Sequence, residues 1–191
     1  MTRLAILGSG KGSNCRAIAQ AVREGLLPAE IALVVADHPE AGILEVAREY
    51  GLPAISHPTG PYKTRLGEAE EQALSRLLQE HEIDWLVLAG WMRVVKAPLL
   101  EAFPDRIVNI HPSLLPRHPG LAAWKQAFEA GDAITGCTVH RVDAGVDTGA
   151  IVAQAEVPRL SEDTPETLHA RIQEAEHWLY PAALRQLITA T

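Results

Sequence analysis

The chain has 191 residues, 47% hydrophobic and 21% charged, which suits one ordinary α/β domain burying roughly 70% of its unfolded surface and excludes a second large one. A formal charge of −7 argues against a broad nucleic-acid footprint, and no apolar run approaches the roughly 20 residues that span a bilayer. Cys15 and Cys137 define neither a disulfide framework nor a metal-type spacing, and Met1 leads almost directly into an apolar strand pattern, so a cytoplasmic chain without a signal peptide is expected.

Short β-rich apolar runs alternate with longer helical patterns, the mark of a doubly wound, mostly parallel sheet. Strands are expected at Arg3–Gly8, Ile31–Asp37, Pro53–Ser56, Asp84–Ala89 and Arg106–Ile110, with helices near Asn14–Glu24, Glu40–Tyr50 and Thr64–Glu82. The runs L-A-I-L and W-L-V-L show no polar alternation, consistent with burial on both faces. Two later strands, Thr135–Val142 and Ile151–Val157, have no helix between them and are expected to pair antiparallel. A long C-terminal helix should begin near Thr164–Pro165, where a capping hydroxyl precedes a proline suited to the first turn. Leu168, Ile172, Ala175, Leu179, Ala183 and Leu187 then recur at three- and four-residue steps as one apolar face. No repeat or linker divides the chain. It reads as a single domain over residues 1–191, with an N-terminal half over about 1–100 and a C-terminal half over about 84–191.

The first strand runs straight into G-S-G-K-G-S-N, Gly8 to Asn14. Such a loop aims successive backbone N–H groups and the positive end of a helix dipole at one spot, which suits an anion such as a phosphate monoester. Lys11 lies between two glycines with no Gly-Lys-Ser/Thr step, so the Walker pattern is not met. The third glycine comes one residue early for the dinucleotide fingerprint, although Asp37 at the end of the second strand could imitate the acidic ribose ligand of a nicotinamide site. A tight turn without ligand is the bland alternative.

The richest stretch is R-I-V-N-I-H-P-S-L-L-P-R-H-P-G, Arg106 to Gly120. Alternation along a strand sends Asn109 and His111 to one side, at the carboxyl edge where open α/β sheets bind ligands. Pro112, Pro116 and Pro119 stiffen the segment beyond the strand. The loop V-D-A-G-V-D-T-G brings Asp147 within range of that edge. A carboxylate beside His111 is expected to raise its pKa and favour imidazolium, a better donor to a developing oxyanion. A lone histidine at a strand end is more often structural, and it is the pairing with Asn109 that gives this one weight.

With these residues in view, the chain resembles the phosphoribosylglycinamide formyltransferases, folate-dependent enzymes of purine biosynthesis. The resemblance rests on G-S-G-K-G-S-N, L-A-G-W-M-R at Leu88–Arg93, N-I-H-P-S-L-L-P at Asn109–Pro116, D-T-G at Asp147–Gly149 and A-E-H-W-L-Y-P at Ala175–Pro181. It implies a Rossmann-like formyltransferase fold and transfer of a formyl group from 10-formyltetrahydrofolate to the amine of 5′-phosphoribosylglycinamide. On the matching positions it implies Asn109, His111 and Asp147 as catalytic, and Gly12, Ser13 and Asn14 on the substrate phosphate. Glu176 would contact the substrate's ribose or amine side. Met92, Arg93 and Val95, with the loop from Ala144 through Val146 to Asp147, would line the folate pocket. His140 would support the site. Trp91 stands where a Phe is common and Thr148 where a Gly is common, changes that should alter pocket packing and stiffen the folate loop.

The expected chemistry is direct attack of the amine on the formyl carbon, with Asn109 and protonated His111 on the oxyanion and Asp147 aiding proton removal. Ser113 lacks a nucleophile-elbow context, Cys137 lies in an apolar strand, and His118, His140 and His177 match no usual metal spacing, so neither a covalent intermediate nor a metal is expected. The alternatives are a formyltetrahydrofolate hydrolase, a formyltransferase for another phosphorylated amine, a nicotinamide-dependent oxidoreductase and a non-catalytic phosphate-binding module. Methionyl-tRNA formyltransferases share the central motif but carry an extra domain and basic character. Small-molecule partners are expected, neither nucleic acid nor membrane, with a homodimer allowed.

Overall fold

A computed structural model describes residues 1–190. The elements run β1 (Thr2–Gly8), α1 (Ser13–Arg23), β2 (Ala29–Ala36), α2 (Gly42–Glu49), β3 (Ala54–Ser56), α3 (Glu68–Glu80), β4 (Trp85–Leu88), α4 (Ala97–Ala102), β5 (Ile107–His111), α5 (Ala123–Glu129), β6 (Ile134–Arg141), β7 (Ile151–Pro158) and α6 (Pro165–Thr189). One seven-stranded sheet has the order β3-β2-β1-β4-β5-β6-β7. This is the expected doubly wound architecture, and every expected strand lies within two residues of its place. The chain divides into two compact units, Met1–Val108 and Asn109–Thr191.

In the first unit β1 is the hub. It pairs in parallel with β2 on one side and β4 on the other, and β2 continues to β3. Leu4, Ala5, Ile6 and Leu7 are completely buried, which explains the absence of polar alternation in the sequence. Because the chain leaves β1 first toward β2 and later returns to its other edge, the β1/β4 border is a topological switch point. Crevices beyond the carboxyl ends of strands at such points bind ligands. Two segments leave the sheet there. Ser9 N–H donates to Gly90 O at 3.0 Å, and Met92 N–H to Ser9 Oγ at 3.0 Å, so the glycine loop and the strap after β4 are tied together.

Helix α3 starts at Glu68, four residues later than the expected Thr64, because Arg65 is held in a parallel bridge to Val94 and Gly67 takes an extended N-cap conformation. The short helices α4 and α5 were not expected; at six and seven residues they are too brief to display a helical period.

In the second unit β6 and β7 pair antiparallel, as expected, and are joined by the loop over residues 142–150. Helix α6 begins where the hydroxyl-proline step placed it. Thr164 Oγ1 accepts from Thr167 N–H at 3.3 Å and Thr167 Oγ1 accepts from Thr164 N–H at 2.9 Å, a reciprocal cap worth about 1 kcal/mol. Leu168, Ile172, Ala175, Leu179 and Ala183 are buried as the period requires, joined by Glu176, Tyr180 and Leu184 in a wider stripe. Among the described residues no helix is long and apolar enough to cross a membrane.

Candidate active site

Asn109 and His111 end β5 in the second unit, and both side chains reach the same cluster. His111 Nδ1 lies 3.4 Å from Asp147 Oδ2, and His140 Nε2 lies 3.5 Å from Asp147 Oδ1 and 3.3 Å from Asn109 Nδ2. Side-chain exposure is 6% for His111, 3% for His140 and 12% for Asp147, so the cluster is almost dry. The structure thus gathers the amide, both rings and the carboxylate that the sequence named.

Three backbone groups fix the cluster. A carbonyl can only accept, so His111 donates from Nε2 to His118 O at 2.9 Å, and His140 donates from Nδ1 to Arg141 O at 2.8 Å. His140 Nε2 thus faces both the Asn109 amide and the Asp147 carboxylate. Gly120 N–H donates to Asp147 Oδ2 at 2.8 Å. Asp147 itself adopts φ 55, a left-handed conformation that aspartate tolerates better than most residues, so the turn that delivers the carboxylate is made at that residue. Gly149 is also required, since a Cβ there would sit 1.8 Å from Arg141 O at the end of β6. The Gly120 N–H and the His118 carbonyl were missed from the sequence, because backbone groups carry no residue signature. The nearby Pro-Gly segment was their only trace.

The expected charge state of His111 is corrected. Burial pushes its pKa below the ordinary 6.5; the His118 hydrogen bond and the Asp147 charge act upward and His140 acts downward, and burial prevails. That direction favours the neutral ring at pH 7. For Asp147 burial acts upward, but the His140 ring, the Gly120 N–H and His111 together outweigh it and hold the carboxyl below the ordinary aspartate value, so it is ionised.

In the first unit the glycine loop ends at Gly12, the N-cap of α1, with φ 80. A Cβ there would meet Ile43 Cα at 2.7 Å, so both the handedness and the space demand glycine. The helix has no side-chain N-cap and no acidic residue in its first turn. Asn14 is buried and Ser13 half-buried in that turn. An uncapped, carboxylate-free helix start of 11 residues has its first N–H groups oriented for an anion. Downstream of β4, Trp91 and Val95 are buried and Met92 is 60% exposed. The Arg93 guanidinium is occupied: Nε donates to Asp37 Oδ2 at 2.8 Å, and another nitrogen reaches the carbonyls of Tyr62, Lys63 and Arg65. Asp37, 6% exposed and paired with Arg93, is not presented as a ribose ligand, which removes the support for a nicotinamide site.

Back in the second unit, Ala144 and Val146 are exposed on the 142–150 loop. Thr148 Oγ1 donates to Asp143 Oδ1 at 2.6 Å, and Asp143 also accepts from Gly145 N–H at 3.0 Å, a clasp that a glycine at 148 could not close. Glu176 is buried on α6, where its charge, after burial itself, helps push the Cys137 thiol up to about 12. That thiol is no nucleophile, and Ser113 is fully buried with its hydroxyl donated to Arg117 O at 2.6 Å. Among the described residues no group of three or more His, Cys, Asp or Glu is placed to hold a metal ion.

Residues 2–184 match the formyl transferase family. The chain belongs to that family. It is 42% identical over 188 residues to the phosphoribosylglycinamide formyltransferase of Bacillus subtilis, covering 98% of this chain and 95% of the relative. It is 44% identical to the trifunctional purine biosynthetic protein adenosine-3 of Drosophila melanogaster, where the match covers 99% of this chain and spans 14% of the relative's length. Solved structures agree. Glycinamide ribonucleotide transformylase 1 from Symbiobacterium toebii superposes with a TM-score of 0.92 at 48% identity, covering 97% of this chain and 86% of that one. The phosphoribosylglycinamide formyltransferase from Bacillus halodurans also gives 0.92, at 46% identity, covering 98% and 95%.

Proposed function

We propose that this chain transfers the formyl group of 10-formyltetrahydrofolate to the amine of 5′-phosphoribosylglycinamide, with Asn109, His111 and Asp147 as the reacting set. The observation that carries the reading is the contact of His111 Nδ1 with an ionised Asp147 at 3.4 Å beside the Asn109 amide, in a nearly dry cluster. Attack of the amine on the formyl carbon forms a C–N bond and places negative charge on the formyl oxygen. One Asn109 N–H is directed to His140; the other is free for that oxygen, the work of an oxyanion hole. The attacking nitrogen gains positive charge and must lose a proton. His111, neutral at rest with its Nε2–H given to His118, takes that proton on Nδ1, directly or through a water. The imidazolium so formed faces the Asp147 carboxylate and lies where it can neutralise the oxyanion. Collapse breaks the bond to the folate nitrogen, which takes the proton from His111, and the ring is again neutral.

Gly12, Ser13 and Asn14 would hold the substrate phosphate through the open start of α1, and Glu176 the ribose. Met92, Val95, Ala144 and Val146 would offer apolar contacts to the folate. Arg93, with its side chain spent on Asp37 and carbonyls, would contribute through its backbone. His140 supports the site by holding the Asn109 amide. On this reading residues 1–191 act as one catalytic domain. A cytoplasmic location fits two unbridged, buried cysteines, and a homodimer is part of the reading that sedimentation can measure.

The test is formyl transfer from 10-formyltetrahydrofolate to a panel of phosphorylated amines, run beside a control without acceptor. Turnover with 5′-phosphoribosylglycinamide well above the other amines is expected. Equal formate release without acceptor would make the chain a hydrolase and end the proposal.

A further inference from the structure

The Gly120 N–H reaches the Asp147 carboxylate at 2.8 Å, closer than the His111 ring at 3.4 Å or the His140 ring at 3.5 Å. The orientation of Asp147 therefore depends on where that N–H points. Packing does not decide it: Pro119 is exposed, Leu121 is 79% exposed, and a Cβ at Gly120 would meet nothing within 4 Å. Upstream, the chain is pinned at the His118 carbonyl, which accepts from His111 Nε2 at 2.9 Å and from Ser113 Oγ at 3.2 Å. With that peptide plane held and the Pro119 φ locked by its ring, the Pro119 ψ alone sets the direction of the Gly120 N–H.

The group that fixes this angle is Gln126 on α5. Its side-chain Nε2 donates to Leu121 O at 2.8 Å and to Pro119 O at 3.3 Å, one N–H for the carbonyl on either side of Gly120. Carbonyls only accept, so the amide nitrogen and not its oxygen must face them. Pro119 O and the Gly120 N–H belong to one peptide plane, and across a trans peptide they point in opposite directions. Gln126 thus grips one end of the plane whose other end Asp147 receives. The helix that carries Gln126 is itself anchored: Ala123 and Ala127 are completely buried, and Trp124 stacks on His169 of α6 with ring centroids 3.8 Å apart.

We propose that Gln126 is a positioning residue: by holding the carbonyls of Pro119 and Leu121 it aims the Gly120 N–H at Asp147 and keeps that carboxylate turned to His111 and His140. The inference rests on the catalytic reading above, in which Asp147 belongs to the reacting set. Without the two donors the Pro119–Gly120 plane turns, the carboxylate loses its closest partner, and turnover falls. The groups assigned to the acceptor's phosphate and ribose are untouched, so its KM does not change.

The experiment uses the full chain. Its sequence contains a single Pro–Gly step, so carbonyl-13C proline combined with 15N glycine isolates the Gly120 amide by NMR. In the wild type the amide proton should lie downfield, as befits a donor to a carboxylate, and Asp147→Ala marks the position of the released N–H. Gln126→Leu keeps the bulk without a donor, and Gln126→Glu exchanges the amide nitrogen for oxygen. Each should move the signal to the Asp147→Ala position and lower kcat about tenfold at nearly constant KM for the acceptor, a fraction of the roughly 10²-fold that a 1 Å misplacement can cost. Gln126→Leu added to Asp147→Ala should cost no more than Asp147→Ala alone. If one Gln126 variant fails to fold, the other decides. A wild-type signal already at the Asp147→Ala position, a signal unmoved in the folded Gln126 variants whatever their kcat, or a moved signal with unchanged kcat overturns the proposal. Absence of formyl transfer by the wild type would instead sink the catalytic reading, and the Gly120 signal would still report whether Gln126 aims this N–H.

Discussion

The glycine turn after β1 and the polar cluster after β5 are both at the carboxyl ends of strands, yet they are built in opposite ways. The first is made of backbone: Gly12 at φ 80, a helix start with no side-chain cap, and a close approach of α2 that leaves no room for a Cβ. The second is made of side chains: an amide, two imidazoles and a carboxylate, the rings and the carboxylate oriented by backbone carbonyls or an N–H and the amide by the His140 ring. A backbone site is specified by where atoms must be absent and a side-chain site by which groups are present. Substitutions in the first unit should therefore show up in stability and binding, and those in the second in turnover.

The largest expected effect tests the stability side. Arg93 and Asp37 form an ion pair 13% and 6% exposed, and Asp37 Oδ1 makes no hydrogen bond of its own, so Arg93→Ala leaves a buried carboxylate without its main partner. Breaking such a pair costs about 3–5 kcal/mol. Thermal denaturation should show a Tm lower by roughly 6–20 °C for a domain of this size. A shift of a degree or two would mean that the Tyr62–Arg65 segment, which Arg93 also holds, relaxes to let water reach Asp37.

His111→Ala tests the turnover side. Its expected cost is on the order of 10²–10³ in kcat with little change in Tm. Near-normal turnover would show that the Asn109 amide carries the oxyanion alone. Gly12→Ala is the smaller counterpart in the first unit. A left-handed non-glycine residue costs about 1–3 kcal/mol, and the added methyl must displace Ile43 Cα from 2.7 Å. The expected outcome is a raised KM for the phosphorylated acceptor with kcat within about threefold, since the reacting groups are elsewhere. A fall in kcat at constant KM would merge the two regions into one mechanism and defeat the distinction.

Legibility in the sequence divided along the same line. Buried strands announced themselves by unbroken apolar runs such as L-A-I-L, and α6 by a long apolar period with a Thr-Pro start, because those signals are summed over many residues. Asn109, His111 and Asp147 were readable because the cluster they form is made of their own polar side chains. The His111 charge state was not. The sequence displays the carboxylate that raises the pKa, while the burial that lowers it belongs to packing by residues distant along the chain. The Gly120 N–H and the His118 carbonyl escaped for a related reason: every residue has such groups, and only the fold aims them. Arg93 was readable as part of a motif, but its pairing with Asp37 joins residues 56 positions apart.

The finest test concerns that charge state, and its sign can be worked out. Burial holds the His111 pKa below 6.5, so the free enzyme is competent while the ring is neutral and loses kcat/KM as pH falls through that lowered value. A ring that worked as a resident cation would behave in the opposite way, gaining activity as pH fell toward 6.5. Asp147 favours the imidazolium and His140 opposes it. Asp147→Asn should therefore lower the height of the profile and move its acid limb further toward acid, whereas His140→Gln should move the limb upward. The acceptor amine titrates identically in all three proteins, so its own pKa cancels from the comparison. Limbs that shift in the same direction would mean that the two neighbours act on His111 through packing and not through charge, and the neutral-base assignment would lose its electrostatic footing.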